Sequence, residues 1–252
     1  MKKWEQHLKK YLSFLRELSE VNESNLRFGQ RAVTASDIAQ QFYCEKKIEM
    51  KHLHGEVETE AKTVGTQAHE SLLKDAVLVK RAELWQKIYA KSPVLARETL
   101  FLAKHKDIVV VGKPDAILFR DGLPLVVFEH KFSKRLVAYE THQVQARTYG
   151  LLLNNMGFDT SSLFYAIVVA QPIARSDETL KSRVIEAITK NGFKEGIVEL
   201  DNARIFLCKY NHKNAENDLD WASKFWRKER EALPAENPNK CRVCEYLDQC
   251  RG

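Results

Sequence analysis

Residues 112–131 read Gly-Lys-Pro-Asp-Ala-Ile-Leu-Phe-Arg-Asp-Gly-Leu-Pro-Leu-Val-Val-Phe-Glu-His-Lys, two apolar strands joined by an Arg-Asp-Gly turn. Asp115 interrupts the first strand. Glu129 and Lys131 end the second, two residues apart and so on one side of the sheet. Charges in such places need a partner or a metal. Two carboxylates on one face hold hard cations such as Mg2+ or Mn2+, which take oxygen ligands. A cation there neutralises a scissile phosphate and acidifies a bound water, and a neighbouring lysine orients that water or stabilises the transition state. This is the chemistry of metal-assisted phosphodiester hydrolysis. A cross-strand salt bridge at a strand end is the plainer use of the same residues.

The geometry depends on the turn. A two-residue Asp121-Gly122 loop pairs Arg120 with Leu123, sets Asp115 opposite Phe128 and leaves Asp115 and Glu129 on opposite faces. A three-residue loop over Arg120-Asp121-Gly122, with Gly122 left-handed in a bulge, pairs Phe119 with Leu123. Asp115 then faces Val127, with Glu129 its diagonal neighbour on the same face. A shared cation therefore predicts the second turn.

Three further groups carry chemistry. His69 follows Gly65-Thr66-Gln67-Ala68 at a helix start, and its imidazole suits Mn2+ as well as Zn2+. Gln145 and Tyr149 are four apart, so they share a helix face and point together at a phosphate or at Lys131. Cys241, Cys244 and Cys250 form C-x2-C-x5-C. Three thiols need a fourth ligand for a tetrahedral zinc or an iron–sulfur cluster. Cys208 alternates with Phe206 and Tyr210 in an apolar strand and reads as core. Cys44, in a charged context, is the better fourth ligand. The spacing leans toward iron–sulfur and leaves zinc open.

The elements that position these residues follow from periodicity. Trp4, Leu8, Tyr11, Leu12, Leu15 and Leu18 mark a helix over 3–19. Ser36-Asp37 caps a second helix toward Met50, and Gly65-Thr66 opens a third that runs to Tyr89. Strands are expected over 94–103, 107–118 and 123–130, a helix over 137–153, and a strand over 162–170 apolar enough to be buried on both faces. A strand at 203–210 and a helix at 219–232 complete the set. Strands interleaved with helices make an α/β or α+β domain around a central mixed sheet flanked by helices. The division expected is an N-terminal helical extension (1–33), a core (34–232) and a cysteine-bearing C-terminal segment (233–252).

The 252 residues are 44% hydrophobic and 29% charged, a globular composition. The net charge of +6 mildly favours a polyanionic partner. No apolar run is long enough to span a bilayer, the N-terminus lacks the apolar core of a signal peptide, and a cytoplasmic location is expected. Five cysteines are then thiols or metal ligands rather than disulfides.

The order His69, Asp115 in Gly-Lys-Pro-Asp, Glu129-His130-Lys131 and Gln145-Ala-Arg-Thr-Tyr149 resembles the PD-(D/E)xK nucleases of the RecB type. The early cysteine with three near the C-terminus is similar to the iron–sulfur branch of that group, most like the CRISPR-associated Cas-four exonucleases. The resemblance covers roughly residues 34–252. It implies a restriction-endonuclease-like core with a cysteine-cluster subdomain joining the two chain ends. It further implies a divalent metal on His69, Asp115, Glu129 and the backbone carbonyl of His130. Lys131 would be catalytic, with Gln145 and Tyr149 supporting site and substrate. Cys44, Cys241, Cys244 and Cys250 would hold a [4Fe–4S] cluster. The activity implied is exonucleolytic degradation of single-stranded DNA ends, with a CRISPR integrase complex as partner in spacer acquisition. The alternatives are a stand-alone repair nuclease of the same type and a catalytically weak DNA-binding partner of an integrase. The chain departs from the family in having Cys44-Glu45-Lys46 where Cys-Pro-Arg is common, and residues 1–33 have no counterpart there.

Overall fold

A computed structural model of the chain describes residues 2–20, 25–55 and 76–251. The amphipathic stretch at the start forms α1 (Lys3–Glu20). Its Tyr11 is buried in the main core and donates a hydrogen bond to the Leu100 carbonyl at 3.0 Å.

A short strand, β1 (Val33–Thr34), leads into α2 (Ala35–Gln41). The cap of α2 is Thr34 rather than the expected Ser36-Asp37; its Oγ1 accepts from the Asp37 N–H at 2.9 Å. The expected single helix breaks at residues 42–44, and α3 (Glu45–His54) begins after Cys44. The cause is tertiary. The first amides of α3, from Glu45 and Lys46, donate to the Leu233 carbonyl (3.0 and 3.2 Å), so a distant segment caps the helix. Of the helix expected over 65–89, the described part is α4 (Ala76–Ile88); His69 lies outside the described residues.

The two strands expected over 94–118 are four: β2 (Val94–Arg97), β3 (Phe101–His105), β4 (Ile108–Gly112) and β5 (Ala116–Arg120). They break where the chain crosses between two sheets. Glu98 takes a left-handed conformation (φ 44°), and Pro114 lacks the N–H that a continuous ladder needs. The two crossings are tied by a 3.2 Å Lys113–Glu98 ion pair and by the Glu98 N–H donating to the Asp115 carbonyl.

The chain continues through β6 (Leu123–Phe132), α5 (Glu140–Met156) and β7 (Phe164–Ala170). Next come α6 (Leu180–Lys190) and β8 (Gly196–Leu200), neither expected, then β9 (Ala203–Lys209). A last long helix, α7 (His212–Trp226), starts earlier than expected because Asn211 caps it, and α8 (Leu247–Arg251) ends the described chain.

Six strands form a mixed sheet in the order β2-β5-β6-β7-β9-β8, in which only β6 and β7 run parallel. A smaller sheet has the order β1-β4-β3. The helix α5 that joins β6 to β7 packs on one face of the large sheet, over Val127, Ile167 and Val169. On the other face, α6 packs Leu180, Val184 and Ile188 against Val126, Phe128 and Val168. Apart from the half-buried Phe164, β7 is buried on both faces, as its unbroken apolar run requires. No helix among the described residues is long and apolar enough to cross a membrane.

Candidate active site

The hairpin turn corrects the expected one. Arg120 pairs with Leu123 across a two-residue loop, and Asp121 (φ 52°) and Gly122 (φ 77°) both have positive φ, the signature of a type I′ turn. The Asp121 and Gly122 amides donate to the carbonyls of Ala90 and Ile88 and dock the turn on the end of α4. A Cβ on Gly122 would lie 2.5 Å from the Tyr89 ring, so a glycine is required for space as well as for conformation.

With that turn alone the carboxylates would fall on opposite faces. A bulge prevents it. Phe119 pairs with Pro124 but Leu118 pairs with Val126, so Leu125 is an extra residue in β6. Pro124, with no N–H to give the ladder, sits where a bulge tolerates it. The ladder then runs Ile117 to Val127 and Ala116 to Phe128. Continued one step, it sets Asp115 level with Glu129. Alternation puts Glu129 on the face covered by α5, shared with Val127, while Asp115, just before β5, meets the backbone of His130 at the strand end and also borders the side that carries the His130 ring.

Asp115 Oδ2 accepts a 2.6 Å hydrogen bond from the His130 backbone N–H. In a strand, the N–H and C=O of one residue project from the same edge, so the His130 carbonyl faces the Asp115 side too. Burial pushes the Asp115 carboxyl up, but hydrogen bonding to His130 and the nearby charges of His130 and Lys131 outweigh it and hold the pKa low. The imidazole of His130 lies on the opposite face. Its Nδ1 is 3.4 Å from Asp115 Oδ2, and both ring nitrogens are buried without a hydrogen-bond partner among the described residues.

Glu129 is only 4% exposed. Desolvation lifts its pKa to about 7; Lys131 opposes the rise and Asp115 adds to it. Lys131 Nζ lies 2.6 Å from Glu129 Oε1 and donates to Gln145 Oε1 at 3.2 Å. Gln145 Nε2 in turn donates to the Tyr149 hydroxyl at 2.8 Å. The Tyr149 hydroxyl reaches back toward the Lys113 carbonyl at 3.4 Å, just before Asp115. Glu129, Lys131, Gln145 and Tyr149 thus form one hydrogen-bonded chain between β6 and α5. Burial first, then the charges of Glu129 and Asp115, raise the tyrosine well above its ordinary range, so it is a neutral hydrogen-bonding group.

Two supporting residues escaped the sequence reading. Gly112 ends β4 beneath the Tyr149 ring, where a Cβ would stand 2.7 Å from the ring carbons. Its place at the head of Gly-Lys-Pro-Asp was the available signal. Arg147, inside Gln145-Ala-Arg-Thr-Tyr149, bridges Asp218 of α7 and Glu140, both at 2.6 Å, and holds α5 in place. A charge on the buried side of a helix was its signal.

Among the described residues, no group of three or more histidine, cysteine, aspartate or glutamate residues is arranged to hold a metal ion. The donors present are two neighbouring carboxylates, Asp115 and Glu129, with the His130 carbonyl on the strand edge that faces Asp115. An all-oxygen set of that kind fits a hard divalent cation.

The cysteines divide as follows. Cys44 immediately precedes α3, Cys241 and Cys244 lie in and just after a 3-10 turn (Pro238–Val243), and Cys250 lies in α8, which packs on α3. Burial first, then the neighbouring thiols of Cys44 and Cys244, push the Cys250 thiol up. The Tyr43 hydroxyl is pushed up by burial and then by Cys244, Cys44 and Cys241. Contacts of α8 with α3 and with the 3-10 turn bring the segments that carry the four cysteines together, but the thiols are not among any group arranged to hold a metal among the described residues. Cys208 sits elsewhere, half-buried in β9 beside Tyr165, with its pKa raised by burial.

A buried clasp brings the chain ends together. Glu45, 1% exposed, receives Arg230 on both carboxylate oxygens, the Leu233 N–H at 2.9 Å and Gln41 Nε2 at 2.8 Å. The Arg230 guanidinium also lies over the Trp221 ring, 4.5 Å from its centre. Lys47 pairs with Glu245 at 3.0 Å, and Lys240 donates to the Tyr43 carbonyl at 3.3 Å.

Comparison with known proteins agrees with this fold. The profile of the PD-(D/E)XK nuclease superfamily matches residues 30–251. The chain belongs to that superfamily, whose members are typically nucleases that act on DNA and use divalent metals such as Mg2+ or Mn2+. No curated protein matches it. Thirteen chains of solved structures do. One is the crystal structure of SSO0001, at 15% identity and a TM-score of 0.44, over 96% of this chain and 92% of that one.

Proposed function

We propose that the chain is a metal-dependent DNA exonuclease of the RecB-like branch, acting on single-stranded ends. The observation that carries this reading is the hydrogen-bonded run Glu129–Lys131–Gln145–Tyr149 beside Asp115. It gathers the acidic, cationic and neutral hydrogen-bonding groups of phosphodiester hydrolysis at the end of one strand.

Asp115, Glu129 and the His130 carbonyl would hold Mg2+ or Mn2+, with His69 the fourth donor implied by the family pattern. When bound, the cation neutralises charge on the scissile phosphate and lowers the pKa of the attacking water. Lys131 orients that water and offers a positive charge to the pentavalent transition state. Gln145 fixes the direction of the ammonium group, and Tyr149, kept neutral by burial, donates its hydroxyl hydrogen without becoming an anion. Ionised Glu129 is costly when the site is empty; a cation removes that cost.

Cys44, Cys241, Cys244 and Cys250 would hold a [4Fe–4S] cluster that staples α3 to the C-terminal segment. The packing of α8 on α3 and on the 3-10 turn, which brings the cysteine-bearing segments together, supports this, and five thiols suit a reducing, cytoplasmic setting. The Cas-four resemblance would make a CRISPR integrase the partner in spacer acquisition. Its alternatives are a stand-alone repair role and a DNA-binding role with weak catalysis.

The test is end-labelled single-stranded DNA incubated with Mn2+ and wild type, Asp115→Ala or Lys131→Ala. Only wild type should shorten the label; equal degradation by all three removes the proposed site. Protein purified without oxygen should be brown, with thiolate–iron absorbance at about 400 nm. A colourless protein containing zinc replaces the cluster with a zinc site.

A further inference from the structure

On the other side of the β6 end from Glu129 lies an open groove of about 690 Å³. It begins at Asp115 and His130 and runs between Phe132, Arg97 and the start of α6. Its size suits one or two nucleotides rather than a duplex. Three cations line it, Arg97, Arg175 and Lys181, and none has a carboxylate partner among the described residues. Of the four acids on the same walls, Glu98 is paired with Lys113, Asp177 with Arg183, and Asp115 accepts from the His130 N–H, while Glu178 makes no ion pair among the described residues. The three cations are therefore set against Glu178 and the proposed metal ligand Asp115.

Phe132 makes the groove more than a charged patch. It is 37% exposed at the end of a strand whose preceding inward residues are packed, and the Arg175 guanidinium lies over its ring, 5.2 Å from the centre. An exposed ring with an arginine plane is a surface on which a nucleobase stacks. A base is free to stack there only when its Watson–Crick partner is gone.

We propose that this groove seats the single strand next to the scissile phosphate, with one base stacked on the Phe132–Arg175 pair and the flanking phosphates on Arg97 and Lys181. The proposal deepens the nuclease reading and rests on it for the position of the scissile phosphate. It makes strand form a property of this groove: an unpaired nucleotide enters and a paired one is turned away.

The test is binding by the full chain, without divalent metal, to a labelled single-stranded oligonucleotide followed by fluorescence anisotropy. Phe132→Ala should weaken binding about tenfold, and Phe132→Trp should restore it. Arg97→Ala and Lys181→Ala should each lower the slope of log affinity against log salt by about 0.7, the value for one lost single-strand phosphate contact. A 2-aminopurine placed in the strand should be quenched by wild type and not by Phe132→Ala. A blunt duplex should bind more weakly than the single strand to wild type. Unchanged affinity and salt slope in the variants, or equal binding of the blunt duplex, overturns the proposal. The two readings fail separately. If Asp115→Ala still cleaves, the nuclease site is wrong whatever the groove does; if only Asp115→Ala is dead and Phe132→Ala binds normally, the groove is wrong and the nuclease site stands.

Discussion

The His130 N–H meets Asp115 Oδ2 at 2.6 Å, so the carboxylate at the head of one strand is fastened to the backbone between Glu129 and Lys131 on the next. The same contact points the His130 carbonyl toward Asp115. A structural role and a metal-binding role for this carboxylate make different demands. Asp115→Asn keeps an acceptor for the N–H and loses the charge. It should cost about 1 kcal/mol of stability, the difference between a charged and a neutral hydrogen bond. Cleavage in Mn2+ should nevertheless fall by about a hundredfold or more. Thermal melts beside cleavage rates check this. A large loss of stability with cleavage intact would make Asp115 a structural residue.

Gly112 has a prediction of its own because its missing side chain makes room for Tyr149. The methyl of Gly112→Ala would overlap the ring at 2.7 Å and push the hydroxyl away from Gln145. The rate should fall by about tenfold, in line with the loss of one aligned group in a positioned site. Gly112→Ala combined with Tyr149→Phe should be little worse than Tyr149→Phe alone, since both act through the same hydroxyl. Fully multiplicative losses would separate Gly112 from the tyrosine.

What could be read beforehand follows from how local each signal is. The β7 run and the α1 stripe depend on periodicity alone, and both elements form where the pattern puts them. The charges of the hairpin were legible because they break an apolar pattern. The turn was not, since Arg-Asp-Gly suits either loop and the choice is settled by the extra residue Leu125 further along. Pro124 was the overlooked sign, because a proline inside a strand marks an edge or a bulge. The stripe Leu180, Val184, Ile188 that makes α6 was also present and unread. The break before Cys44 had no local sign at all, because the carbonyl that caps α3 comes from Leu233.

Gly122 and Tyr89 test the corrected turn. Gly122→Ala forces a side chain into positive φ and into the Tyr89 ring, and should destabilise by about 2–3 kcal/mol. In a Tyr89→Ala background only the backbone strain remains, about 1 kcal/mol. Chemical denaturation of the four proteins gives a double-mutant cycle with a coupling of about 1–2 kcal/mol. Additive effects would mean that the turn does not rest on the tyrosine.

His142 should report on the start of α5 through pH. Burial first, then Lys131, lowers its pKa to about 4, and its Nδ1 accepts the Tyr139 N–H at 3.3 Å, which requires the neutral ring. The unfolded chain takes up a proton near the ordinary pKa of 6.5 while the folded chain resists until about 4. The contribution is thus whole above about pH 6.5 and is lost as pH falls toward 4; for a partly exposed ring it is on the order of 1 kcal/mol. Glu129, raised to about 7, acts in the opposite sense, losing stability as pH rises from 4.5 to 7. Comparing wild type with His142→Gln cancels Glu129. The stability of wild type relative to the variant should be greater at pH 7 than at pH 4.5. A pH-independent difference would show that His142 does not titrate in this way.

The clasp between Glu45 and Arg230 is where the stability of the cysteine neighbourhood should reside. Glu45 is almost wholly buried, and its oxygens satisfy Arg230, Gln41 and the Leu233 amide together. Arg230→Met leaves that carboxylate buried without its counter-charge, which costs about 3–5 kcal/mol. Glu45→Gln in the same background removes the stranded charge and should recover most of the loss. The local consequence is distinct from the global one. In the single variant, the Leu233 carbonyl that caps α3 loses its anchor, so the thiols of Cys44 and Cys250 should become more reactive to a thiol probe at a denaturant concentration where α5 and the large sheet stay protected from hydrogen exchange. If reactivity changes only when the whole chain unfolds, the clasp supports the entire fold and not the junction of its two ends.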